Sequence, residues 1–361
     1  MKAAITVVAD CDARDHGVVV VKGTFEIDDA GKLALAAEQQ PLVFADEHYG
    51  DPETTPVRLE CEFAPQKPLT DVLVVGRAVA PKAVPVEMLT VRLEVEGRAK
   101  DVRVVGERRW VQGLGHVYPS AALPFVEMPL SFARAFGGSD DSRGPEQVAV
   151  EHRNLCGVGF HQHRDASAVA GSALPNLEDP RQLITSARDR PTPVGYGVIG
   201  RSWEQRARFV GTYDDAWRRG QAPYLPRDFD PLYYQCAPVD QRFPHFRGGE
   251  RICCVNMGPD PIVDYVMPSI SMMLRFRFFN RDVERRGTLD TVILEPHLRR
   301  AQLVWRASVP LGKKLTDLRE VWVGPQVPDE RLLVGYRDGR PVFRSLAAAV
   351  RWVRKLEAGQ P

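Results

Sequence analysis

From Leu89 to Val104 the chain alternates apolar and polar residues one for one. Leu89, Val91, Leu93 and Val95 interleave with Thr90, Arg92, Glu94 and Glu96, and Val102 and Val104 resume the pattern after Gly97 and Arg98. A period of two places every apolar side chain on one face of an extended chain and spreads them around a helix. The segment from Met88 to Trp110 therefore reads as a β-hairpin turning at Gly97-Arg98, and its apolar face requires a covering layer.

The same logic extends along the chain. In Pro56–Phe63 the apolar residues fall at 57, 59, 61 and 63 with charges between them, the pattern of a half-buried strand. Val18–Ile27 and Asp71–Gly76 add strands. Leu274, Phe276 and Phe278 alternate with Arg275 and Arg277, and Thr291–Leu294 and Gln302–Arg306 flank Pro296 as a second hairpin. Short helices are expected at Asp179–Ala187 and around Trp203–Arg208. A longer one is expected at 345–356, where Leu346, Ala349, Val350, Val353 and Leu356 share a face, Ser345 can cap the start, and Arg351, Arg354 and Lys355 suit the C-terminal dipole. Glycine and proline, 29 of each, are spread through the chain and favour many short strands over long helices.

The expected fold is thus mostly β, with antiparallel sheets in sandwich or barrel-like layers, long ordered loops, a few short helices and a C-terminal helix. Its expected organisation is an N-terminal antiparallel β region at 1–111, a loop-rich β region at 112–330 and a C-terminal segment at 331–361, which can also form one continuous domain.

Charge narrows the function classes. Lys and Arg number 48 against 47 Asp and Glu, a formal net charge of +1, so no global field draws the chain to nucleic acid or an anionic membrane. No apolar run approaches the length of a membrane span. The first ten residues reach Asp10 before a signal-peptide core can form, which predicts a cytoplasmic protein. Six cysteines without C-x-x-C spacing are expected to be free thiols.

Three motifs suggest chemistry. Gly195-Tyr-Gly-Val-Ile-Gly200 matches G-x-G-x-x-G, but Pro191 and Pro193 precede it where a dinucleotide-binding strand should run, so it reads as a loop and no cofactor is expected. His161 and His163, with His152 upstream, could offer imidazoles to a metal if a strand put them on one face, and Asp228-Phe-Asp230 is a D-x-D between prolines that fits turn-forming aspartates better than a metal site. An alternative enzyme reading, a metal-dependent or acid–base hydrolase, would draw on His161, His163, Asp214, Asp228 and Asp230. No G-x-S-x-G, Walker A or H-E-x-x-H motif supplies a nucleophile with a named base.

A series of blocks carries a resemblance: Ala135-Phe-Gly-Gly138, Asn154-Leu-Cys-Gly-Val-Gly159, Leu174-Pro-Asn-Leu-Glu178, Pro191–Gly197 with Trp203 and Arg206, Gly211-Thr-Tyr-Asp214 with Trp217, Pro226–Asp230, Ala237–Gln241 and Gly249-Glu250. In this order, with Pro65–Asp71, Gly76–Pro81 and Trp305-Arg306, the chain resembles a bacterial family designated domain of unknown function 2169, whose members accompany type VI secretion genes. Leu155 and Val158 depart from the family's usual pattern, a proline after the asparagine and a basic residue between the glycines. The resemblance implies a non-enzymatic adaptor or chaperone that binds a cognate type VI effector and helps load it onto a VgrG or PAAR-type spike component. The blocks supply the candidate partner-binding or loop-shaping residues Phe136, Gly137, Gly138, Asn154, Gly157, Gly159, Asn176, Glu178, Trp203, Arg206, Tyr213, Asp214, Trp217, Asp228, Asp230, Asp240, Gln241 and Glu250. Arginine outnumbers lysine, which accounts for only nine of the basic residues, and the middle of the chain is rich in aromatics, a composition that suits both a core and a protein interface.

Overall fold

The computed structural model describes residues 1–28, 31–163, 166–279, 281–312, 318–324, 334–337 and 340–343. Two sheets dominate it. The larger has seven strands, ordered Lys2–Ala9, Asp15–Ile27, Arg300–Pro310, Thr288–Glu295, Thr70–Val74 and Arg242–Phe243, with Leu33–Leu35 also pairing along Asp15–Ile27. All its neighbours run antiparallel except Thr288–Glu295 beside Thr70–Val74. The smaller is antiparallel throughout and has five strands, ordered Leu177–Glu178, Arg98–Val105, Met88–Val95, Arg251–Val255 and Ile262–Val266. Each sheet therefore combines strands from distant parts of the chain. A three-stranded sheet of Asp282–Arg286, Met273–Phe278 and Leu318–Val323 adds to the assembly.

The core follows from the alternation. Val19, Val21, Val72, Val74, Leu303 and Trp305 of the large sheet join Val91, Leu93, Val102, Val104, Ile252 and Cys254 of the small one in a single buried cluster. Each such side chain contributes roughly 1.5–3 kcal/mol when fully enclosed. The opposite face of the large sheet is covered as well. Val18, Val20 and Val304 pack with Leu42, and Leu73, Val75 and Ile293 pack with Val43, Leu59, Val198 and Ala237. Burial on both faces explains why Val18–Val21 is a continuous apolar run. Lys22 shares that burial, and its ammonium lies 2.8 Å from Glu62.

Both expected hairpins form, and the smaller sheet confirms the alternation that suggested it. Its turn sits one residue earlier than the spacing indicates, at Glu96-Gly97, with φ of 48° and 76°. Val95 then pairs directly with Arg98 across a two-residue connection whose positive φ matches the strand twist. Pro56–Phe63 is strand only over Val57–Leu59. The helix expected at Asp179–Ala187 is absent. The Asp179 carboxylate accepts the amide of Arg181, and that of Asp189 accepts the amides of Thr185 and Ser186, so side chains satisfy amides that a helix would use. Around Trp203–Arg208 a short helix does form, at Glu204–Ala207. The helix expected at 345–356 lies outside the described residues.

Candidate functional site

In the Arg98–Val105 strand, Val102 and Val104 face the core, and by alternation Lys100 and Arg98 point to the same side. On its outer flank Leu177–Glu178 pairs only with Val104 and Arg103. The stretch Arg98–Asp101 therefore has a strand neighbour on one side only. Val95 and Arg98 form the hydrogen-bonded pair next to the two-residue turn. Alternation from there directs the amide and carbonyl of Ala99 and of Asp101 away from the hairpin, toward the open edge.

A cleft of about 780 Å³ lies along this edge, bounded by Asp179–Arg181, Thr192–Gly195, Pro238–Asp240 and Arg242. Lys100 forms part of its lining. Its ammonium donates to Asp240 Oδ1 at 2.9 Å, Gln241 Oε1 at 2.8 Å and the Gly195 carbonyl at 2.8 Å. Burial pushes this lysine below its ordinary pKa, and Asp240 opposes the shift. Gln241, itself enclosed, donates to the Val72 and Tyr196 carbonyls, and the Tyr196 hydroxyl donates to the carbonyls of Val91 and Lys100. These bonds tie the floor of the cleft to both sheets.

The charges around the cleft do not cancel. Asp240 is engaged by Lys100, Asp179 by Arg181 at 2.9 Å, and Asp101 by Arg92, which binds it through two nitrogens. Arg242 is only 7% exposed. Its Nε donates to the Ala237 carbonyl at 2.8 Å and its Nη2 to the Gln235 carbonyl at 3.4 Å, and among the described residues it makes no direct ion pair, although the buried Asp71 on the adjacent strand attracts its charge. Arg98 lies 4.6 Å over the Phe243 ring and likewise makes no ion pair among the described residues. Gln205 also lines the cleft. Its Nε2 donates to the Arg153 carbonyl, and its buried Oε1 has no hydrogen-bond partner among the described residues.

Of the candidate partner-binding residues named from sequence, the structure brings Asp240 and Gln241 into direct contact with this floor. Most of the others shape the scaffold. Asn154 is fully buried and donates to the carbonyls of Phe132 and Phe136. Gly137 and Gly157 lie so close to it that a Cβ would approach Asn154 atoms within 2.3 and 2.5 Å. Gly138 and Gly159 have φ of 94° and 92°, and Phe136 is buried. Asn176 bonds Val105 and Arg134, and Glu178 pairs with Arg108 at 2.7 Å. Trp203 is buried edge-on against Phe132. Arg206, 1% exposed, pairs with Glu60 at 2.9 Å and donates to the Ile199 and Tyr233 carbonyls.

The acidic candidates are mostly turn builders. Asp214 caps the helix Asp215–Gly220 and Asp230 caps Pro231–Tyr234. Asp228 accepts from Thr212, and Glu250 accepts the amides of Arg247 and Gly248. Tyr213 and Trp217 form a surface pair with ring centres 4.6 Å apart. The His161 and His163 rings are 6.4 Å apart, the former near Arg190 and the latter bonded to Ser142 at 2.8 Å. Among the described residues no three His, Cys, Asp or Glu side chains are placed to hold a metal ion. Gly195–Gly200 lies in no strand or helix. The six cysteines are free, with Cys236 and Cys254 buried.

The cleft residues that sequence reasoning missed are Arg98, Lys100, Arg242 and Gln205. Arg98 and Lys100 carried a faint signal, because they fall on the apolar phase of the hairpin, where a charge must find a partner or a ligand. Among the described residues no helix is long and apolar enough to cross a membrane. No curated protein and no solved structure matches the chain. The profile of the family described as "Uncharacterized protein conserved in bacteria (DUF2169)" matches residues 12–306, a span that takes in the whole smaller sheet, most of the larger one and every wall of the cleft, and the chain belongs to that family.

Proposed function

We propose that this protein is a non-enzymatic adaptor or chaperone that binds a cognate type VI effector in the cytoplasm and helps load it onto a VgrG or PAAR-type spike component. The observation that carries the reading is the cleft along Arg98–Asp101, lined by both apolar and charged side chains and lying beside an unpaired sheet edge, which is a geometry suited to capturing a segment of another chain. The secretion context comes from the sequence blocks. The hydrolase reading lacks comparable support, because Asp214, Asp228 and Asp230 are committed to caps and turns, and among the described residues no three His, Cys, Asp or Glu side chains are grouped to hold a metal ion.

Co-purification with the products of neighbouring toxin and spike genes tests the proposal. A stable complex with the toxin, and loss of toxin export when this gene is deleted, is the expected result. Unchanged export together with no complex refutes it.

A further inference from the structure

We infer that the cleft beside Arg98–Asp101 is the docking site for an extended acidic segment of a partner protein, which adds a strand to the open edge and places a carboxylate against Arg242 and Arg98. This deepens the adaptor reading and rests on it for the partner's identity, but the binding chemistry stands on the cleft itself.

Two independent features specify the occupant. The first is the backbone. Ala99 and Asp101 present amides and carbonyls to the cleft at the spacing of alternate strand residues, and only another extended chain satisfies such a row in register. Pro193, Val194, Pro238 and Val239 supply apolar wall on which side chains of that segment can rest. Val239 is 61% exposed there.

The second feature is charge. Every carboxylate of the cleft already has a cationic partner, whereas Arg242 and Arg98 make no direct ion pair among the described residues. Arg242 is hydrogen-bonded only to carbonyl oxygens, and the buried Asp71 that faces its charge is already paired with Lys67, so an incoming anion completes its charge balance. Its planar fork suits a carboxylate.

The test is to pan a displayed library of random 12-residue peptides against the full-length protein and to measure affinities of the enriched peptides by fluorescence polarisation. Enrichment of peptides with Asp or Glu within an alternating apolar pattern is expected. Ala99→Pro removes one outward amide from an edge position that tolerates proline, and Arg98→Glu reverses an exposed charge. Each is expected to weaken binding by about tenfold or more while leaving the melting temperature within about 2 °C of wild type. Arg98→Glu keeps the test decisive if Ala99→Pro fails to fold. No enrichment, enrichment without acidic residues, or binding indifferent to Arg98→Glu overturns the inference. Co-purification of the neighbouring toxin that persists in both variants removes the cleft but spares the adaptor reading. Peptide binding that both variants weaken, with no toxin partner, does the reverse.

Discussion

Lys67 and Asp71 meet at 2.8 Å with side chains only 6% and 0% exposed. The lysine also reaches Thr291 Oγ1 at 3.1 Å, and the aspartate accepts from Gln235 Nε2 and from the amides of Cys236 and Ala237. Burial works against both charges, yet each holds the other ionised, with Lys67 above its ordinary pKa and Asp71 below it. Gln235–Ala237 is thereby fastened to the large sheet, immediately before the Pro238–Arg242 wall of the cleft.

Removing one member of this pair strands the other. Asp71→Asn is expected to destabilise the fold by roughly 3–5 kcal/mol, measured by urea unfolding at neutral pH. A loss below about 1 kcal/mol, the scale of a surface ion pair, would contradict the enclosed geometry.

Arg306 and Arg242 should respond differently to the same change. Arg306 lies 2.6 Å from Asp290, with both side chains buried, so Arg306→Met leaves a carboxylate without its cation and should cost about 3–5 kcal/mol. Arg242→Met strands carbonyl oxygens and leaves Asp71 its direct partner Lys67, and is expected to cost clearly less, about 1 kcal/mol. Equal losses in the two variants would show that the longer-range attraction between Arg242 and Asp71 counts as much as a direct buried ion pair.

The glycine positions near Asn154 are set by contact distance. In Gly157→Ala the new methyl would fall 2.5 Å from Asn154 Nδ2 and 2.6 Å from the Ala135 carbonyl. A loss of about 2–4 kcal/mol is expected, read as a lowered melting temperature. Gly220→Ala, whose Cβ meets nothing within 4 Å, serves as the tolerant control.

Asp140 makes stability depend on acid pH. Burial alone would raise its pKa, but the amides of Gln162 and Ser142 outweigh this and hold it down to about 2. A carboxylate whose folded pKa is depressed stabilises the fold above its unfolded value and ceases to do so as pH falls through the folded one. Asp140→Asn should therefore be less stable than wild type by about 1–2 kcal/mol at pH 7. The gap should close between about pH 4 and pH 2, and unfolding curves across that range check it. A gap that persists unchanged at pH 2 would assign the effect to packing.

Much of the fold is legible along the chain. Alternation in Met88–Val95 and Arg98–Val105 fixes which side chains face inward, because pleating places neighbours on opposite faces whatever the rest of the molecule does. The run Val18–Val21 likewise announces a strand covered on both sides. Local competition limits this reading. At Asp179–Ala187 a plausible helix gives way to turns because Asp179 and Asp189 bond nearby amides, and side chains decide that outcome over a few residues.

The sequence by itself determined the strongly alternating strands, such as Met88–Val95 and Arg98–Val105, their inward faces and the family, since these depend on residue order alone. Only the tertiary structure decided the cleft. It placed Lys100 against Asp240, 140 positions apart, left the Ala99–Asp101 edge open because Leu177–Glu178 pairs no further than Arg103, and enclosed Arg242 without a direct ion pair among the described residues. Burial and charge balance are properties of residues brought together across the fold, and no spacing along the chain encodes them.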